Sequence, residues 1–174
     1  ARRPLTLMTQ RRRLDAFLVE RAQEAGVEFR DRQAVRSVVE HPDGTFEVRV
    51  ASGEAHTARA LIGADGANGV VRTFLGFEHP ADAAVALEGN LPCPNGIPLW
   101  LQGRVGLNLG WLPGGYGWLF PKGDHLNIGV GGWKNVAGPV LRESFDAYTR
   151  SFGWDPEDVE GVRGYHLPML RAGA

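Results

Sequence analysis

The sequence predicts an α+β fold: a broad antiparallel sheet, preceded by a helix, a small β-meander and a glycine-rich strand–helix turn. Three observations carry this. Near the N-terminus Leu14, Phe17, Leu18, Ala22 and Ala25 recur at helical spacing. Residues 60–76, ALIGADGANGVVRTFLG, run from an apolar stretch through Asp65-Gly66 into a short helical pattern. Beyond Gly76, short apolar segments separated by Gly, Pro, Asn and Asp fill most of the chain.

Taken in order, a helix is expected over residues 10–25, capped by Thr9 and ended by Gly26. A strand follows at 27–31. Residues 34–40 and 45–50 alternate in polarity around His41-Pro42-Asp43-Gly44, a strong turn signal. A second hairpin through Ser52-Gly53-Glu54 leads into 56–64, so three strands form an antiparallel meander whose last member delivers Asp65. A short helix is expected over 70–75. After Gly76 come strands at 85–91, 99–102, 105–112, 116–121 and 126–133, the last two joined as a hairpin by 122–125. A helix over 138–152, an acidic loop at 155–160 and a strand at 162–169 complete the chain. Trp100, Trp111, Trp118 and Trp133 fall among these strands and suggest a sheet with one apolar face.

Of the 174 residues, 43% are hydrophobic, enough for a sizeable core in one domain or parts of two, which excludes a disordered chain. A net charge of −1 argues against a nucleic-acid binder. Arg2, Arg3, Arg11, Arg12 and Arg13 crowd the first turns, a solvated basic face that can also meet phosphate. Cys93 is the single cysteine, so no intrachain disulfide forms and a reducing compartment fits. No apolar run reaches the roughly 18 residues that a bilayer span needs, and no signal-peptide pattern stands at the N-terminus. The expectation is a cytoplasmic protein, with peripheral membrane contact left open.

Gly63, Gly66 and Gly69 are spaced G-x-x-G-x-x-G, which is not the G-x-G-x-x-G dinucleotide fingerprint. The related physics remains: a strand ends, glycines let the backbone approach something closely, and a helix N-terminus follows. Asp65 is placed either to accept hydrogen bonds from ribose or ribityl hydroxyls, or to cap the helix. Other chemistries find no support. There is no G-x-S-x-G elbow and no Walker motif, and His41, His56, His79, His125 and His166 do not fall at metal-ligand spacings. Asp82 and Glu88 are a carboxylate pair that nothing in the sequence points together. Cys93 reads as a small buried apolar residue. Strand alternation places Tyr116, Trp118 and Phe120 on one face, either a wall for an apolar ligand or plain packing.

The segment GADGANGVVR resembles the "DG" motif, G-A-D-G-x-x-S-x-V-R, of flavoprotein oxidoreductases of the para-hydroxybenzoate hydroxylase type. Tyr116-Gly117-Trp118-Leu119-Phe120-Pro121-Lys122 resembles the Y-x-W-x-F-P segment of the geranylgeranyl reductase branch. Arg11 to Gly26 mirrors R-x-x-F-D-x-x-L-x-x-x-A-x-x-x-G, with Leu14 in the Phe place. Gly69 departs from the usual Ser. The resemblance implies a flavoprotein fragment: residues 1–76 as a partial FAD-binding domain, 77–161 as an antiparallel substrate domain, and 162–174 returning to the first. It implies FAD, reduced by NAD(P)H or ferredoxin, with Arg11, Arg12, Val35, Gly63, Asp65, Gly66 and Arg72 on the cofactor side. Tyr116, Trp118, Phe120 and Pro121 would wall the site of a prenyl or other apolar small molecule. The implied activity is reduction of prenyl double bonds. A flavin monooxygenase or halogenase and a non-catalytic apolar-ligand module stand as alternatives. No catalytic residue and no oligomeric state is assigned. The family's pyrophosphate-binding glycine turn and its "GD" segment are absent from these 174 residues, so the chain alone is expected to be inactive.

Overall fold

The computed structural model describes residues 6–66, 68–77 and 83–169. The chain divides into two compact units, one formed by residues 15–79 and the other by 1–14 with 80–174. The division falls inside α1 (Arg11–Glu24).

α1 starts where Arg13 and Leu14 donate to the Gln10 carbonyl. It ends in a Schellman-type turn: Gly26 has φ +90°, and the Val27 N–H reaches back to Ala22 O at 3.0 Å. The expected apolar stripe is present, but Phe17 and Leu18 remain more than half exposed. Residues 27–31, expected as a strand, join no ladder, and Val27 and Phe29 stay exposed. A β-prone segment becomes a strand only where a neighbour satisfies its backbone, and none of the described strands lies beside it.

The meander forms as expected, with β1 (Val35–Glu40), β2 (Phe46–Val50) and β3 (Ala55–Ala58) in the order β1-β2-β3. Asp43 sets the first turn. Its carboxylate accepts from the Thr45 N–H (3.0 Å) and the Thr45 hydroxyl (2.7 Å), and these two bonds hold its pKa below the ordinary carboxylate range. β3 stops at Ala58, however. Residues 60–64 pair with nothing, and Ile62 is 89% exposed, so a loop rather than a strand delivers Asp65. The short helix appears as α2 (Val70–Phe74), packed on β1, with Phe74 edge-on to Phe46 at 6.4 Å.

The larger unit is a five-stranded antiparallel sheet. It is made of β4 (Ala83–Pro92), β5 (Gly106–Leu109), β6 (Gly115–Pro121), β7 (His125–Trp133) and β8 (Glu160–Pro168), in the order β5-β6-β7-β4-β8. One face carries the core: Val85 and Leu91 of β4, Leu119 of β6, and Leu126, Ile128 and Val130 of β7 meet Phe145 and Tyr148 of a helix. Gly117 permits this approach, because a Cβ there would lie 2.6 Å from the Tyr148 ring.

Local chemistry changes several expected elements here. Residues 99–102 are not a strand: Leu99–Leu101 is a 3-10 turn in which Leu101 N bonds Pro98 O, burying Leu101 and stacking Trp100 on Phe152 at 5.9 Å. β5 is shorter than 105–112, because Gly110 (φ +76°) turns the chain and its N–H bonds Gly115 O. The helix expected over 138–152 is interrupted. α3 (Lys134–Ala137) runs into a 3-10 turn at Gly138–Val140 before α4 (Leu141–Arg150), since Pro139 has no N–H with which to continue a helical ladder. The acidic stretch contains a 3-10 turn at Pro156–Asp158, capped by Asp155. The last strand, expected at 162–169, pairs along β4 as an edge of this sheet.

Candidate functional site

Two surfaces gather the residues singled out by sequence, one in each unit. In the smaller unit, Gly63, Asp65, Gly66, Gly69 and Arg72 surround the start of α2. Asp65 Oδ2 accepts from the Val71 N–H at 3.2 Å, so its carboxylate does cap α2. Gly69 is the residue before the helix and is packed against that carboxylate: a Cβ at 69 would fall 2.0 Å from Asp65 Oδ1. This accounts for glycine where the motif usually has Ser. The Asp65 rotamer that reaches Val71 leaves no room for a side chain at 69. Gly63 is tight too, since its Cβ would lie 2.7 Å from Val71 Cγ1. Gly66 differs, with φ +82° and open space on its Cβ side. Asp65 stays exposed despite the cap. An anchored, solvent-facing carboxylate beside an uncovered glycine backbone suits a ligand rich in hydroxyl donors.

Val35 opens β1, where the register with β2 breaks between Val35 and Ser37, a bulge that exposes Arg36. Arg72 is half-buried in α2. Arg11 and Arg12 stand exposed on the first turn of α1.

The second surface is a cleft of about 600 Å³ on the face of the five-stranded sheet that does not meet α4. Tyr116, Trp118 and Phe120 line it from β6, while Leu119 and Gly117, between them, point to the core. The rings form a continuous row, Tyr116 to Trp118 at 5.6 Å and Trp118 to Phe120 at 6.2 Å. Pro121, the register partner of the core residue Leu126, falls on the opposite face and does not line the cleft, contrary to its expected place in the wall. Trp118 lies across β7: a Cβ on Gly129, its register partner, would come within 2.2 Å of the indole. The indole N–H donates to Asn127 Oδ1 at 2.9 Å.

The cleft is polar at the β6–β7 turn. Lys122 Nζ donates to Thr9 O at 2.7 Å, and His125 Nδ1 contacts Asp124 Oδ1 at 2.7 Å. The His125 hydrogen bond, followed by weaker charge effects that include Arg13, lowers the Asp124 pKa. Arg11 also lines the cleft. Glu88 projects from β4 into the middle of the sheet face. Its sequence partner Asp82 lies outside the described residues.

Among the described residues no group of three His, Cys, Asp or Glu could hold a metal. Cys93 lies in a separate groove with Trp154. Its thiol contacts Leu91 O at 3.6 Å, and burial pushes its pKa up, so it is not a thiolate nucleophile. The cleft thus offers aromatic rings beside amide, carboxylate and cationic groups, an arrangement suited to binding and orienting a molecule. Sequence reasoning missed Asn127. Its signal was legible, because Asn127, Gly129 and Gly131 alternate with Leu126, Ile128 and Val130 and so share the face opposite the core.

Residues 2–95 match the family model described as an FAD binding domain. An uncharacterized protein of Methanosarcina barkeri is 30% identical over 165 residues, covering 94% of this chain and 41% of that protein. The chloroplastic geranylgeranyl diphosphate reductase of Oryza sativa is 32% identical over 141 residues, 71% of this chain and 30% of that protein. The digeranylgeranylglycerophospholipid reductase of Methanosarcina acetivorans is 29% identical over 150 residues, 82% and 36% respectively. The chain thus spans 41% or less of these curated relatives. Among solved structures, the flavin-dependent halogenase CmlS superposes with TM-score 0.65 at 18% identity, covering 94% of this chain and 32% of that one. The halogenase PltM in complex with FAD gives 0.62 at 14%, covering 89% and 36%. At such identities these structures show the fold alone.

Proposed function

Since the chain belongs to the FAD binding domain family, we propose that it forms part of an FAD-dependent oxidoreductase that reduces prenyl double bonds. The observation that carries the reading is the Tyr116–Trp118–Phe120 row on the open face of the sheet, long and apolar enough to lay out an isoprenoid chain. The prenyl reductases among its relatives support it. Residues 15–76 act on the cofactor side and the five-stranded sheet, with β8 as its edge, on the substrate side.

The Asp65 turn fits FAD by the chemistry of its donor set: an exposed carboxylate accepts hydroxyl hydrogens, and Gly66 leaves the backbone uncovered. In the smaller unit Arg72 supplies positive charge, Gly63 lets the loop close on α2, and Val35 offers its backbone at the β1 bulge; in the larger unit Arg11 and Arg12 are separate candidates for cofactor contact. FAD, reduced by a nicotinamide or by ferredoxin, supplies the hydride. Tyr116, Trp118 and Phe120 hold the chain in place and exclude water from it. No helix among the described residues is long and apolar enough to cross a membrane.

The test is anaerobic incubation of the full-length protein with reduced flavin and geranylgeranyl diphosphate. Products heavier by two hydrogens per reduced double bond are expected. Turnover that requires oxygen and yields a hydroxylated or halogenated product would replace this reading with the monooxygenase–halogenase alternative, which the fold likeness to halogenases favours. Full-length protein that takes up no flavin would leave an apolar-ligand module.

A further inference from the structure

We propose that Asn127 is a positioning residue of the cleft, which holds the Trp118 indole flat on β7 and consumes its one polar hydrogen, so that this ring presents only carbon at the middle of the aromatic row. Its kinetic consequence rests on the prenyl-reductase reading; its geometry does not. Trp118 is only 7% exposed, and an indole has a single donor and no acceptor. A donor buried to that degree is costly unless paired. Asn127 Oδ1 pairs it at 2.9 Å, while the amide nitrogen turns the other way, toward Gly89 O and Asn90 Oδ1 on β4, each at 3.4 Å. The amide is thereby oriented from both ends, oxygen to the indole and nitrogen to the neighbouring strand.

Gly129 supplies the other half of the clamp. With no Cβ there, the indole rests directly on the β7 backbone, and any side chain at 129 would lift it into the cleft. Tyr116 and Phe120 close the two flanks. The ring has one place to lie, and in that place a hydrocarbon sliding over it meets no unpaired hydrogen-bond donor. Without Asn127 the N–H is free. It can then draw water or a hydroxylated molecule into the cleft, and the ring can swing away from β7. Asn127 therefore acts on substrate through Trp118, as a determinant of preference for unsubstituted chains.

The experiment uses the full-length, flavin-loaded protein with Asn127→Leu and Asn127→Asp, each made in the wild-type and in the Trp118→Phe background. Four quantities are read: the near-ultraviolet circular dichroism band lost in Trp118→Phe, flavin content, and KM and kcat for geranylgeranyl diphosphate. Asn127→Leu should lose the Trp118 band and raise KM about fivefold, the size of one hydrogen bond, with flavin loading and kcat kept. Asn127→Asp retains the acceptor but loses the donor to β4, so it should keep the Trp118 band and raise KM less than Asn127→Leu does. In the Trp118→Phe background Asn127→Leu should add nothing, because the two residues act as one unit. If the Leu variant does not fold, Asn127→Ala gives the same comparison. A Trp118 band that survives removal of Asn127, or an equal rise in KM in both backgrounds, overturns the proposal. A wild-type protein that reduces no prenyl chain, but whose Trp118 band depends on Asn127, overturns the functional reading and upholds the clamp.

Discussion

Asp65 answers to two demands at once, and its neighbours decide how well it meets each. Its carboxylate is tied to Val71 N, so Asp65→Ala should cost about 1 kcal/mol of stability, as for a lost helix cap. Its exposure leaves it free to accept from cofactor hydroxyls, so the same substitution in the full-length protein should also weaken FAD binding by roughly 1.5–3 kcal/mol, as for a charge-assisted bond. Denaturant titration and flavin titration of one preparation separate the two; unchanged FAD affinity with lowered stability leaves Asp65 as a cap only. Gly69 provides an independent handle. Gly69→Ala should drive the Asp65 carboxylate off Val71 and destabilise by about 1 kcal/mol. Gly69→Ser makes the same collision but brings a hydroxyl to a position where Ser caps well, and should recover most of that loss. If the two variants are equally destabilised, crowding rather than capping governs the site.

At the scale of the element, β6 is the strand on which the two faces of the larger unit can be tested against each other. Gly117 points to α4 and Trp118 to the cleft. Gly117→Ala places a methyl against the Tyr148 ring and should cost about 1–3 kcal/mol by overpacking, with no specific effect on substrate. Trp118→Ala removes a ring that packs on β7 but not into the core. It should cost less than the roughly 3–5 kcal/mol of a core Trp and raise KM for a prenyl substrate while flavin loading survives. Melting temperature, bound flavin and alkene reduction on the same sample decide the matter. A collapsed melting temperature would give Trp118 to the core, and wild-type turnover in a folded, flavin-loaded variant would remove it from the substrate site. Tyr148 marks the core side in another way, since burial pushes its phenol up to about 12 and keeps it neutral across the working range of the protein.

For the whole molecule, the 174-residue chain should not hold FAD tightly by itself. The Asp65 turn offers hydroxyl acceptors, but no G-x-G-x-x-G turn for a pyrophosphate occurs in the sequence, and that turn supplies much of such a site. A purified chain carrying stoichiometric flavin would refute this. The exposed apolar residues of the smaller unit, Phe17, Leu18, Val27, Phe29 and Ile62, belong to a helix stripe and to two β-prone segments that join no ladder among the described residues.

The sequence by itself determined what depends on neighbours close along the chain. The helix at α1, the Pro-Asp-Gly hairpin, the β6–β7 hairpin and the aromatic face of β6 follow from periodicity and turn chemistry, which act over a few residues. Tertiary structure decided the rest. Residues 27–31 and 60–64 look like strands, yet a ladder requires a distant partner that local pattern does not contain. Whether Tyr116, Trp118 and Phe120 face the core or a cleft was open in the sequence, because alternation assigns residues to faces without saying which face is covered. α4 settled it by packing over Gly117 on the opposite side. The contact of Asn127 with Trp118 appeared only when β7 was laid in register beside β6, since an indole 9 residues away in sequence is brought within hydrogen-bond reach by strand pairing alone.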